Sequence, residues 1–152
     1  TNNQWFETQD SISYWDDFYR QKIVWGEISD KTKFSIDLEG KFMNEATTFL
    51  MVGEPLLFLV GYLNSKLSEY LFSKIGTTTG MGTIRWKKYT VEQLLIPNIS
   101  SSKIIEYENL VLKIISNLKN ELELKNLTYQ LDKMILSEFD FTEDEIYFIM
   151  NQ

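Results

Sequence analysis

Pro55-Leu-Leu-Phe-Leu-Val60-Gly-Tyr-Leu-Asn64-Ser-Lys66-Leu-Ser-Glu-Tyr70-Leu-Phe-Ser-Lys74-Ile75-Gly76 is the stretch that decides the fold. Leu56, Leu57, Leu59, Val60, Leu63, Leu67, Tyr70, Leu71 and Ile75 recur at helical spacing. Pro55 suits a first helical position and Gly76 a stop. Asn64, Lys66, Ser68 and Lys74 fall off the apolar face. A helix apolar over so much of its surface must be covered, so residues 55–75 are expected to form one central helix under a sheet.

The strands for that sheet lie upstream. Lys22-Ile-Val-Trp-Gly-Glu-Ile-Ser29 is rich in β-branched and aromatic residues and is followed by a turn. Phe34-Ser-Ile-Asp37 alternates, Leu38-Glu39-Gly40-Lys41 is a turn, and Ala46 to Val52 makes a third strand ended by Gly53. Short strands with tight connections predict antiparallel pairing. Further upstream, residues 4–19 hold Trp5, Phe6, Tyr14, Trp15, Phe18 and Tyr19 among acids and amides. This segment is an irregular lead-in whose rings are expected to pack on the body of the domain.

Downstream of the helix, Gly76 to Pro97 begins with a loop of glycines and threonines. Thr83 to Lys88 is expected to be a strand, and Thr90 to Ile96 a turn and a further strand closed by Pro97. No Gly or Pro occurs after Asn98. Ser100, Ser101 and Ser102 offer a helix cap. Ile104, Tyr107, Val111, Ile114, Leu118 and Leu122, then Leu124, Leu127, Leu131 and Met134, form an apolar stripe. One long helix with an irregularity and two helices in an antiparallel hairpin both satisfy it. Thr142-Glu-Asp-Glu145 is a capping box for a last short helix. The fold class is therefore α+β: a small, mostly antiparallel sheet packed on a central apolar helix, followed by a helical C-terminal extension. Residues 1–98 make the α+β unit, with residues 1–20 as its lead-in, and residues 99–152 the extension.

Composition narrows the chemistry. The chain has 152 residues, 43% hydrophobic and 24% charged, and neither cysteine nor histidine. Thiolate catalysis and disulfides are excluded, and so are the commonest general base and transition-metal ligand. The N-terminus lacks the cationic start and apolar core of a signal peptide. The longest apolar run, Leu56 to Val60, is far too short to span a membrane. A cytoplasmic location without membrane contact is the expectation. The missing initial Met, with Trp5-Phe6 close behind, points to a piece of a longer protein.

The net charge of −7 is unevenly spread. Residues 1–17 carry four acids and no cation, and residues 137–152 carry five acids and no cation. Residues 66–90 carry Lys66, Lys74, Arg85, Lys87 and Lys88 against Glu69 alone. One face can thus attract phosphate while the whole chain stays acidic. Candidate DNA-binding residues are Thr77, Thr78, Thr79, Gly80, Gly82, Thr83, Arg85, Lys87 and Lys88. The Arg85 fork can hold guanine by two bonds, with Trp86 among the cations. Lys87 and Lys88 suit phosphates, and the threonines and glycines offer hydroxyls and close backbone approach. A soluble edge strand would use the same residues.

Other motifs fail. Gly76 to Gly82 lacks the Gly-Lys-Ser/Thr end of a P-loop. Gly80-Met-Gly82 misses a third glycine and follows a helix, which argues against a dinucleotide site. No Asn-Pro-Pro-aromatic loop of an amino-methyltransferase is present. Asp30 or Asp37 with Glu39 and Lys41 is a nuclease-like metal set, but Glu39-Gly40 fits a hairpin turn better. No metal ligand is assigned.

The order of segments carries a resemblance. Trp5-Phe6-Glu7-Thr8-Gln9 leads in. Lys22 to Ser29, Leu57 to Leu71 with Leu63-Asn-Ser-Lys-Leu67, Arg85-Trp-Lys-Lys88, Val91-Glu-Gln93 and Ile96-Pro97 follow. Leu131-Asp-Lys133, Glu138-Phe139 and Phe141 to Ile146 close the chain. This succession resembles the TaqI-like C-terminal specificity domain of adenine-specific DNA methyltransferases and of single-chain type II restriction-modification enzymes. The resemblance implies a DNA target-recognition domain that is not itself an enzyme. Its partners would be double-stranded DNA and an intramolecular methyltransferase domain, which would bind S-adenosylmethionine and flip the adenine out of the stack. It further implies that residues 99–152 act as spacer or docking helices. The acidic balance and the Thr77-Thr78-Thr79 loop depart from the family pattern. A helical docking or oligomerisation module is the alternative from a different class, and a metal-dependent nuclease fragment a weaker one.

Overall fold

Lys22–Gly26 (β1), Ile28–Ser29 (β2), Ser35–Asp37 (β3) and Thr48–Met51 (β4) supply the strands of the first half. β1 lies between β3 and β4, antiparallel to both, with Ile23 opposite Ile36 and Met51 and Trp25 opposite Phe49. This is a computed structural model, and it describes residues 2–7, 13–78 and 83–152. The run expected as one strand from Lys22 to Ser29 divides at Glu27. Its second half leaves the first sheet and joins another.

The central helix also divides. Leu56–Leu63 (α1) and Lys66–Ile75 (α2) are separate helices. Two polar residues make the joint. Ser65 caps α2 by accepting from the Ser68 amide at 3.2 Å. The Asn64 side chain donates to the Phe34 carbonyl at 2.8 Å and accepts from the Phe34 amide at 3.0 Å. The apolar spacing runs unbroken across the joint because both helices turn their apolar faces to one core. α1 is covered on both sides, with Leu56, Phe58, Val60, Gly61, Tyr62 and Leu63 buried.

The second half adds Thr77–Thr78 (β5), Ile84–Arg85 (β6), the single turn Lys88–Val91 (α3), Ser101–Ser116 (α4), Glu121–Leu136 (α5) and Glu143–Met150 (α6). β6 lies between β2 and β5, antiparallel to both. Thr90 to Ile96, expected as a turn and a further strand, contain no strand. α3 takes up Thr90 and Val91, and Leu95 and Ile96 are exposed. The Leu95 carbonyl accepts from the Tyr62 hydroxyl, which ties the segment back to α1.

Of the two readings of the C-terminal stripe, the hairpin is the one observed. Lys103 on α4 bonds Glu138, just beyond α5, at 2.8 Å, and the Tyr107 hydroxyl donates to the Met134 carbonyl at 2.8 Å. Ser100 caps α4, and Thr142 with Glu145 forms the capping box of α6. α4 lies against α1 so closely that a Cβ on Gly61 would meet the Val111 side chain at 2.6 Å. Buried Tyr107, Val111, Leu131, Ile135 and Ile149 join the same cluster as Ile23, Trp25 and Phe58. The architecture is α+β, and no helix among the described residues is long and apolar enough to cross a membrane.

The aromatic lead-in departs from expectation. Trp5 is 94% exposed, and Phe6, Tyr14, Trp15 and Tyr19 are exposed as well. They contact one another, Trp5 with Phe6 and Trp15 with Phe18 and Tyr19, rather than sinking into the body. Their acidic neighbours Asp16 and Asp17, in the first turn of the 3₁₀ helix Trp15–Tyr19, favour water on that side.

Candidate nucleic-acid interface

The small sheet of β2, β6 and β5 positions the candidate side chains. Arg85 stands opposite Ile28 on one side and Thr77 on the other, so these three share a face. Its neighbour Ile84 turns the other way and packs against the core cluster. The pleat therefore sends Arg85 and Thr77 outward, beside exposed Ile28. Thr78 is exposed and Thr83 half-buried. Thr79, Gly80 and Gly82 lie outside the described residues.

Trp86, which lies among the cations in the sequence, is not on the surface with them. It is 2% exposed and stacks on Phe72 with ring centres 3.8 Å apart and planes 10° from parallel. Its carbonyl accepts from the Trp25 indole at 2.8 Å. Its role is to fasten β6 to α2 and β1, so the exposed Arg85 side chain stands on a strand with a buried anchor at the next residue.

Beyond Trp86, the chain from Thr83 to Lys88 is not a continuous strand. Lys87 is the N-cap of α3, and its carbonyl accepts from the Thr90 and Val91 amides at 3.0 Å each. Its ammonium sits 5.8 Å over the exposed Tyr89 ring. Lys88 is exposed, with its ammonium 3.7 Å from the Glu92 carboxylate. Such surface contacts are worth little in water and are readily exchanged for a phosphate. Lys88 also borders a recess of about 600 Å³ together with Tyr14, Asp17 and Phe18. The turn α3 thus sets two cations next to β6, while the lead-in aromatics approach from the side.

Glu27, which the sequence reading passed over, is part of this site. Its carboxylate lies 2.8 Å from the Arg85 guanidinium, with side chains 30% and 40% exposed. Its amide donates to the Thr47 carbonyl at 3.1 Å, and its carbonyl accepts from the Trp86 amide at 2.6 Å. It stands where the chain passes from one sheet to the other. The residues are 58 apart in sequence, and no local pattern signals such a pair.

The nuclease-like set is otherwise engaged. The Asp37 carboxylate meets the Lys22 ammonium at 2.6 Å, with Lys22 fully buried and Asp37 5% exposed. It also accepts from the amides of Glu39, Lys41 and Phe42 at 3.3, 3.2 and 2.9 Å. Burial alone would push this carboxyl up. The Lys22 hydrogen bond and the Phe42 and Lys41 amides outweigh it and hold the group well below the usual carboxylate range. Glu39 and Lys41 pair with each other. Asp37 spends its oxygens on its own loop, where Gly40 takes a positive φ of 64° and a Cβ would collide with the Tyr19 carbonyl. Among the described residues, no three His, Cys, Asp or Glu side chains form a group fit for a metal ion.

The described residues thus form a small α+β unit whose β6–α3 edge carries Arg85, Lys87 and Lys88. Residues 1–97 match the model of the TaqI-like C-terminal specificity domain, and the chain belongs to that family. Over 84 residues, 55% of the chain, it is 33% identical to the type II methyltransferase M.MjaIV of Methanocaldococcus jannaschii. The aligned part amounts to 28% of that protein's length.

Proposed function

We propose that this chain is the sequence-specific double-stranded DNA recognition domain of a restriction-modification enzyme, a site-specific adenine DNA methyltransferase. It holds a short target in place for an intramolecular catalytic domain in another part of the parent protein, acting in the cytoplasm. S-adenosylmethionine belongs to that catalytic domain, and the present chain does no chemistry itself. Family membership gives the class. The observation that carries the DNA-facing assignment is the small sheet, which turns Arg85 and Thr77 outward with Lys87 and Lys88 directly alongside.

The labour divides by chemistry. Arg85 has a planar fork suited to a base edge in the major groove. Lys87 and Lys88 are point charges suited to phosphates. Thr77, Thr78 and Thr83, with Thr79, Gly80 and Gly82 between them, supply hydroxyls and close backbone approach. Replacing Arg85, Lys87 and Lys88 together by Ala is expected to weaken duplex binding and flatten its salt dependence, measured by fluorescence anisotropy. Unchanged binding would remove the interface from this edge.

A docking role for residues 99–152 is favoured by a separate observation. Leu122 is 82% exposed, Tyr147 72% and Phe148 53%, all large apolar side chains on α5 and α6. Truncation after Pro97 would strip Tyr107, Val111 and Leu131 from the core, so point changes are the better test. If Leu122→Lys with Tyr147→Lys abolishes self-association in sedimentation while no duplex binds, docking is the function.

A further inference from the structure

We infer that Glu27 is a positioning residue for Arg85, fixing the guanidinium so that it reads a base edge instead of gripping any phosphate. The inference rests on the DNA-recognition reading of the same edge. Three observations carry it. First, the carboxylate sits 2.8 Å from one terminal nitrogen of Arg85, and among the described residues no other acceptor meets the guanidinium. Of the five N–H donors of an arginine, those on the remaining edge stay available as a fork. Second, the Glu27 backbone is held on both sides. Its amide donates to Thr47, just before β4, and its carbonyl accepts from Trp86, whose ring stacks on Phe72. Third, the pair stands on the outward face of β6, where Arg85 is 40% exposed and Glu27 30%.

The electrostatic consequence is a trade between grip and choice. An arginine with an acid at one side carries less net charge towards a distant phosphate, so its attraction to any duplex is reduced. Its planar donors still match the paired acceptors of a guanine edge, and a fixed fork loses less freedom when it binds. Glu27 therefore lowers the affinity for arbitrary DNA and raises the preference for one base at one position. The lysines cannot substitute, because each is a rotating point charge on a flexible stem.

The test uses the 152-residue chain and a pool of randomised duplexes. Wild type selects an enriched sequence, and affinities are then measured for that duplex and for a scrambled one. Glu27→Gln keeps the shape and removes the charge. It is expected to bind the scrambled duplex more tightly and to lose about tenfold in the ratio of the two affinities, with the loss confined to one base position. In an Arg85→Ala background the same change is expected to leave the ratio unchanged, since the residue acts on base choice only through Arg85. A purely structural role would leave the ratio alone and lower the melting temperature instead. An unchanged ratio, or an equal loss in the Arg85→Ala background, overturns the inference while leaving the DNA reading intact. If wild type enriches no sequence and Arg85→Ala binds like wild type, the reading of the edge fails and the inference falls with it.

Discussion

Two ion pairs of nearly equal length do opposite work in this molecule. Lys22 and Asp37 meet at 2.6 Å with almost no exposure. Glu27 and Arg85 meet at 2.8 Å with about a third of each side chain in water. The buried pair is closed: Lys22 also donates to the Phe18 carbonyl, and Asp37 gathers three amides of the following loop. The ammonium has two acceptors and both carboxylate oxygens are engaged, so the pair fastens the lead-in and the 38–42 loop to β1. The surface pair is open, because it lies partly in water and the guanidinium keeps donors beyond the one that meets Glu27. Burial, rather than distance, separates an ion pair that holds the fold from one that serves a site.

The largest expected effect comes from breaking the closed pair. Asp37→Ala should cost about 3–5 kcal/mol in urea unfolding, because it strands a buried ammonium. Lys22→Met should cost less, since three amides still face the carboxylate. A loss for Asp37→Ala as small as that of a surface pair would erase the distinction. The same carboxyl also sets an acid limit. Folding holds it below its ordinary value of 3.8, so its stabilisation is complete above about pH 4 and is lost as the pH falls below that. The unfolding free energy of wild type should therefore decline through this range more steeply than that of Asp37→Asn.

A third carboxylate sharpens the comparison. Asp132 is largely buried and accepts from the Lys66 amide at 2.8 Å, without a close ion pair. Burial pushes its carboxyl up to about 6, against the Lys66 amide and charge, with Glu69 adding to the rise. Here the sign reverses. The folded form keeps a proton that the unfolded form releases, so stability falls as the pH rises from about 4 to about 6. Asp132→Asn should remove that fall, on the order of 2 kcal/mol, in urea titrations at pH 4.5 and 7. The smallest effect belongs to the open pair. Arg85→Ala should change stability by less than about 1 kcal/mol while still weakening duplex binding. A large loss of stability would make Arg85 a structural residue like Lys22.

What the sequence made legible follows from how far each signal reaches. Caps at Ser100 and Thr142, the apolar stripe of α4 and α5, and the strand character of Lys22 to Gly26 are local, and they survive in the fold. The joint at Asn64-Ser65 was hidden because apolar spacing continues through it. The polar pair itself was the available sign, as Ser65 is a cap type. Trp86 stands among cations in the sequence, yet strand alternation turns it away from Arg85, and Phe72 claims its face. The one-turn helix at Lys88 begins where Lys87 caps without a side-chain bond, so no cap residue announces it. The Glu27–Arg85 and Lys22–Asp37 pairs depend on strand pairing across long separations, which periodicity cannot show. The composition marked the run of cations from Lys66 to Lys88, but the acid beside Arg85 became visible only in three dimensions.

The central claim is that the β6–α3 edge grips and reads duplex DNA with separable parts. Its most direct test is a salt titration of duplex affinity for wild type, Lys87→Ala with Lys88→Ala, and Arg85→Ala. The lysine variant should lose affinity on every sequence, and its slope of log affinity against log salt should shrink by about two. Arg85→Ala should lose affinity chiefly on the preferred sequence with a smaller change in slope. Slopes and affinities equal to wild type in both variants would contradict the assignment of this edge to DNA.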